Sequence, residues 1–157
     1  MTINERGALT IVRVFDFPRE SVFKMWTDPK KVAEWWGPEG CVNIVSEVDA
    51  RTGGRMRVDQ RSPRGDVSSF KATFERVIPL ELLIYKAKSP GTSDEYGGYS
   101  AHETLETVTF EELGPKRTRV TVVTEILAGP LDERESLLDA FRGGWGESLD
   151  KLQRSLR

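Results

Sequence analysis

PRESVFKMWTDPKKVAEWWGP, residues 18–38, holds two short helical signatures in tandem and three of the chain's four tryptophans. Pro18 opens the first and Asp28-Pro29 opens the second. A proline there gives up only an N–H that a helix start leaves unpaired, and the aspartate can cap. Gly37-Pro38 stops the second. Neither segment is long enough to be stable alone in water, so Trp26, Trp35 and Trp36 must pack on something larger. Almost everything that follows is strand-like, which makes that partner a sheet.

Working outward, LTIVRVFDF (9–17) reads as a first strand, rich in β-branched and aromatic residues. After the helices come CVNIVSEVDA (41–50), a Gly53-Gly54 turn, and RMRVDQR (55–61). That last strand sets Met56, Val58 and Gln60 against Arg55, Arg57, Asp59 and Arg61. SPRGD (62–66) is turn chemistry; its Arg-Gly-Asp copies a cell-adhesion tripeptide but reads as a hairpin. In SSFKATFERVI (68–78), Phe70, Ala72 and Phe74 share one face. LLIYKAK (82–88) alternates Leu83, Tyr85 and Ala87. A final hairpin joins ETVTFEEL (106–113) to RTRVTVVTEIL (117–127), with Val108, Phe110, Val120, Val122 and Thr124 as its inward set. One-sided alternation of this kind predicts an antiparallel meander with one covered face.

The cover is the C-terminal helix. Leu138, Phe141, Trp145, Leu149, Leu152 and Leu156 recur at spacings of three and four, and Asp132 with Glu135 reads as a capping box. Glycines at 143, 144 and 146 interrupt this helix, each at about 1 kcal/mol relative to alanine. Close backbone packing or a kink is the first expectation for them, and room for a ligand the second.

Composition narrows the classes. The chain has 157 residues, 38% hydrophobic and 31% charged, with a net charge of −2. That fits one domain, residues 8–157, and lacks the basic face of a nucleic-acid binder. No apolar run reaches membrane-spanning length and the N-terminus lacks the order of a secretory signal, so a cytoplasmic protein is expected. The single cysteine, Cys41, and single histidine, His102, cannot build an internal disulfide or a usual zinc site. No cofactor is expected, because neither a phosphate-binding glycine loop nor a nucleophile elbow occurs.

Four stretches, FPRESVFKMWTDPKKVAEWWGPEG (17–40), DARTGGRMRV (49–58), ETVTFEEL with RTRVTVV (106–123) and GGWGESLDKL (143–152), taken in order, resemble the family named after homologues of the heat-shock protein 90 ATPase activator. That family sits in the START and birch-pollen-allergen superfamily, SRPBCC. The resemblance implies an α+β helix-grip fold, a curved antiparallel sheet around a long C-terminal helix with two short helices after the first strand. Members look like small-molecule binders, a few cyclases and lyases, and co-chaperone domains, with no shared catalytic set. The chain lacks the extra N-terminal domain of the eukaryotic co-chaperones, so a chaperone partner is the weaker expectation.

The aromatic inward set is the main functional signal, because a curved sheet and one helix do not close completely and binding sites favour apolar concavities. The expected lining is Trp36 from the second helix, then Met56, Val58 and Gln60 from one strand, and Phe70, Phe74 and Tyr85 from the next two. Phe110 and Val122 of the last hairpin and Phe141, Trp145 and Leu149 of the helix complete it. Tyr85, Gln60 and Thr124 would supply polarity. His102 reads as an exposed loop residue, Cys41 as structural, and Asp49 with Arg51 as an ion pair or turn anchor. The long connection 89–103 reads as a mobile lid near the entrance, with Tyr96 and Tyr99 as its cover. A small hydrophobic or aromatic ligand is therefore the expected partner, with no nucleic acid and no membrane, and a homodimer is one arrangement such an open sheet allows. An enzyme of polyketide-cyclase type in the same cavity is the alternative, and a buried ionisable group in the cavity would favour it.

Overall fold

The computed structural model describes residues 2–3, 8–92 and 98–157. Alternating apolar residues build the predicted meander. Its strands are β1 (Thr2–Ile3), β2 (Ala8–Phe15), β3 (Val42–Val48), β4 (Arg55–Arg61), β5 (Val67–Ile78), β6 (Leu82–Ser89), β7 (His102–Gly114) and β8 (Arg117–Ala128). They form one antiparallel sheet in the order β1-β2-β8-β7-β6-β5-β4-β3. The helices are α1 (Arg19–Thr27) and α2 (Pro29–Trp35), which carry the chain from β2 to the far edge strand β3, and the terminal α3 (Arg134–Ser155). Register shifts in β3, β5 and β7 interrupt the ladder, and such bulges bend a strand and raise its twist. The result is the helix-grip α+β fold that the sequence reading expects.

Asp28 accepts from Lys30 N at 2.9 Å and Pro29 holds the first position of α2. Pro18 sits one place earlier than expected, with extended backbone ahead of Arg19. The Asp132–Glu135 capping box does not form. A 3-10 turn over Leu131–Glu133 runs straight into α3, so the backbone itself occupies those first donors. The Arg-Gly-Asp segment is the expected hairpin, closed by Ser62 N on Asp66 O at 2.8 Å, and Asp49 pairs with Arg51 at 2.9 Å on the surface.

Inside, Trp26, Trp35, Phe15, Phe74, Tyr85, Leu149 and Leu152 are fully buried. The rings run in contact from Phe23 and Phe110 (5.0 Å) through Trp26 and Trp35 (4.7 Å) to Trp36 and Phe70 (5.0 Å). The C-terminal end of α2 is gathered by side chains from three elements. Asn43 donates to Ala33 O and Trp36 O at 3.0 and 2.9 Å, Ser148 to Gly37 O at 2.9 Å, and Lys151 to Gly37 O at 3.1 Å. Gln60 Nε2 reaches Trp36 O and Asn43 Oδ1 at 3.4 and 3.3 Å.

Gly37 lies in the left-handed region at φ +86° with the Gln60 amide against its α-carbon, whereas Gly53, at φ +85°, faces open space. An alanine at either site carries about 1–2 kcal/mol of backbone strain, but only at 37 does the new methyl also strike Gln60. Gly37→Ala is expected to cost about 1–2 kcal/mol more than Gly53→Ala in urea unfolding. Equal losses would show that Gln60 yields freely.

Candidate functional site

Between the sheet and α3 lies a recess with two lobes. One, of about 530 Å³, opens along α3 among Trp36, Tyr99, Phe141, Gly143, Gly144 and Trp145. The other, of about 500 Å³, opens between β4, β5 and β6 among Val58, Gln60, Phe70, Ala87 and His102. Trp36, Thr92, Glu106 and Phe141 are walls of both, so the lobes meet at those residues.

Of the residues expected along a cavity, Trp36, Val58, Gln60, Phe70, Phe141 and Trp145 line these lobes. Met56, Phe74, Tyr85, Phe110, Val122 and Leu149 do not; each is buried in the packed core. The physical reason is local filling. Phe23 and Trp26 from α1 close over Phe110 edge-on at 5.0 and 5.3 Å, and Phe74 lies against the Tyr85 ring at 5.9 Å. Gln60 keeps its place on the wall, but its amide nitrogen is directed at Trp36 O and Asn43 rather than into the recess.

The helix glycines depart from the close-packing half of the first expectation. A methyl added at Gly143, Gly144 or Gly146 would meet nothing within 4 Å, so neither close backbone packing nor a neighbour explains them. Gly143 and Gly144 instead form part of the wall.

The sequence reading passed over the residue at the junction. Glu106 shares parity with Val108 and Phe110 on β7 and therefore points inward; that parity was the available signal. It pairs in register with Tyr85 on β6 and Thr124 on β8, which makes a polar row across an apolar face. Trp26 Nε1, Tyr85 Oη, Glu106 Oε2 and Thr124 Oγ1 are all buried without a hydrogen-bond partner among the described residues. The Tyr85 hydroxyl is coupled to Glu106 and to the Trp26 indole, but the contacts do not close into bonds. Burial pushes the Glu106 carboxyl up to about 7, with Tyr85 pulling weakly the other way. Burial and the Glu106 charge together hold the Tyr85 phenol well above its ordinary value.

His102 is not a loop residue. It begins β7, half-buried, with Nδ1 2.9 Å from Ser100 O and its ring 5.9 Å from that of Phe141. Tyr99 stands at the α3 mouth as expected, its hydroxyl donating to Ser136 O at 2.9 Å. Tyr96 lies outside the described residues. Among the described residues no cluster of histidine, cysteine and carboxylates could hold a metal, and no helix is long and apolar enough to cross a membrane.

The raised Glu106 value carries a stability consequence. The native state keeps a proton that an unfolded carboxyl, ordinarily near 4.5, has already released. This group's contribution is therefore complete below about pH 4.5 and is lost as pH rises through 7, by about 3 kcal/mol. Glu106→Gln is expected to remove that decline and to be the more stable protein near pH 8 in urea unfolding. Parallel pH profiles for the two proteins would refute the assignment.

Residues 16–157 match the model of the family described as Activator of Hsp90 ATPase homolog 1-like protein. Among solved structures, a protein from Nitrosomonas europaea superposes with a TM-score of 0.78 at 20% identity, over 98% of this chain and 96% of that one. A Chromobacterium violaceum protein gives 0.75 at 26% identity, over 96% of each chain. The AHSA1 protein of Silicibacter pomeroyi gives 0.77 at 20%, over 95% of this chain and 96% of its own. No curated protein matches the sequence. The family match spans the α1–α2 pair, strands β3 to β8 and the gripping helix alike, and by it the chain belongs to the Activator of Hsp90 ATPase homolog 1-like family, within the SRPBCC superfamily.

Proposed function

We propose that this protein binds a small, mainly apolar molecule in the two-lobed recess between sheet and α3. The observation that carries the reading is the glycine pair at 143 and 144. In a helix interior each costs about 1 kcal/mol relative to alanine, and no packing neighbour within 4 Å offsets that cost. What the glycines do is keep side chains out of a space walled by Trp36, Phe141 and Trp145. A recess of about 530 Å³ falls in the range that small-molecule sites occupy. Burial of apolar ligand surface there supplies about 25 cal/mol per Å².

A second reading, catalysis in the same recess, draws on Glu106. A carboxyl held near 7 at the junction of both lobes can take or give a proton at neutral pH.

Gly144→Leu tests the binding reading, because the new side chain projects into the α3 lobe without meeting a neighbour at its root. Uptake of the neutral dye Nile red, followed by fluorescence, is expected to fall at least about fivefold. The melting temperature should hold or rise by about 2 °C, since leucine is the better helix former. Undiminished uptake by a well-folded variant would sink the proposal. Native mass spectrometry of protein purified from its own host would then identify what the recess holds.

A further inference from the structure

The charged walls of the α3 lobe are all acidic. Glu106 stands at its inner end, with Asp139 and Glu147 at the mouth, and among the described residues no lysine or arginine lines it. Asp139 pairs with Arg142 at 3.3 Å, and Glu147 acts at longer range on Lys151. Lys151, farther along the same helix, directs its ammonium to the carbonyls of Trp36, Gly37 and Pro38. Glu106 Oε2 is buried without a donor, and among the described residues no ion pair reaches its carboxyl. Beside it, Trp36 and Trp145 meet at 73° with ring centres 6.0 Å apart, and Trp35 lies behind both at 5.2 and 6.3 Å. Two indoles packed edge to face line the lobe together with this carboxyl, and an indole face beside a carboxylate attracts a cation through its ring quadrupole.

Building on the binding reading above, we infer that the recess selects an organic cation. The ligand would be a protonated amine on a flat apolar body, its nitrogen set against Glu106 and the Trp36–Trp145 corner. The alternative ligand chemistries fare worse on the same walls. A carboxylate or phosphate ligand would meet three acidic side chains and no base in this lobe. A purely apolar ligand would leave Glu106 Oε2 as it stands in the free protein, buried without a donor, and gain nothing from it.

The selection has a pH signature, because a cationic ligand favours the ionised form of Glu106. The groups that face this carboxyl are few. Tyr85 of β6 stays a neutral phenol, held so by burial. Thr124 of β8 and Trp26 of α1 carry no charge. From α3 come Asp139 and Glu147, and on the second lobe's walls stand Asp66, Lys88 and His102. Of these, Glu106 is the one whose carboxyl burial holds up near neutrality, at about 7. His102 lines the second lobe, so a variant at each residue separates their contributions.

The test uses three probes with one ring: 2-phenylethylamine, 2-phenylethanol and 3-phenylpropionate. Each is titrated into the full chain and followed by backbone amide shifts. Near pH 8 the amine is expected to bind at least about tenfold more tightly than the alcohol, and the carboxylate least. Near pH 5.5, where the amine keeps its charge but Glu106 is protonated, the preference should shrink to about threefold or less. Glu106→Gln should abolish the preference and its pH dependence, while His102→Gln should keep both. Alcohol and amine binding alike, or the carboxylate binding best, would overturn cation selection and leave the binding reading standing. Selection that survives in Glu106→Gln would overturn the role of this carboxyl. No binding by any of the three would overturn both readings.

Discussion

The last carbonyls of α2 are the point on which the rest of this structure turns. A helix of seven residues leaves its terminal C=O groups unpaired. Here they are taken by Asn43 from β3, Gln60 from β4 and Ser148 and Lys151 from α3. Three elements, from the next strand to the C-terminal helix, are thereby tied to one short helix end. Trp36 sits in that knot, and its ring touches Trp35, Phe70 and Trp145. The helix could not stand without the sheet and α3, and the recess would lose its common wall without the helix.

The chain treats two little-exposed carboxylates, on opposite faces of the sheet, in opposite ways. Asp59 on β4 is held by Arg57 at 2.7 Å and by Ser69 at 2.6 Å, and those hydrogen bonds, Arg57's first, keep its pKa below the ordinary value. Glu106 is as little exposed, and its Oε2 has no hydrogen-bond partner among the described residues. β4 and β7, separated by β5 and β6 in the sheet, thus carry one acid that is structurally complete and one that is not. An incomplete polar group in a well-packed core costs stability, so its place at the junction of two lobes ties that cost to whatever the recess receives.

Much of this was legible from period and parity. Alternation placed Val58, Phe74, Tyr85, Val108 and Val122 inward, and the three–four spacing placed Leu138, Trp145, Leu149 and Leu152 on the buried stripe of α3. Parity says which face a side chain takes but not what lies across from it. Phe110 and Phe70 face the same interior, yet Phe110 meets Trp26 and Phe23 while Phe70 borders open space. That distinction depends on where α1 ends and α2 begins to cross the sheet. The glycines of α3 were ambiguous for the same reason, since a missing side chain reads alike whether a backbone or a void stands opposite. Glu106 was within reach of the parity argument. It was hidden by the habit of reading a glutamate in a strand as its wet face.

The wall common to the two lobes also bears on how they can be filled. Trp36, Thr92, Glu106 and Phe141 border both spaces. A side chain in such a partition cannot move for a guest on one side without changing the room left on the other. The two lobes are in this sense not independent vessels, and what fits in one depends on what already stands in its neighbour.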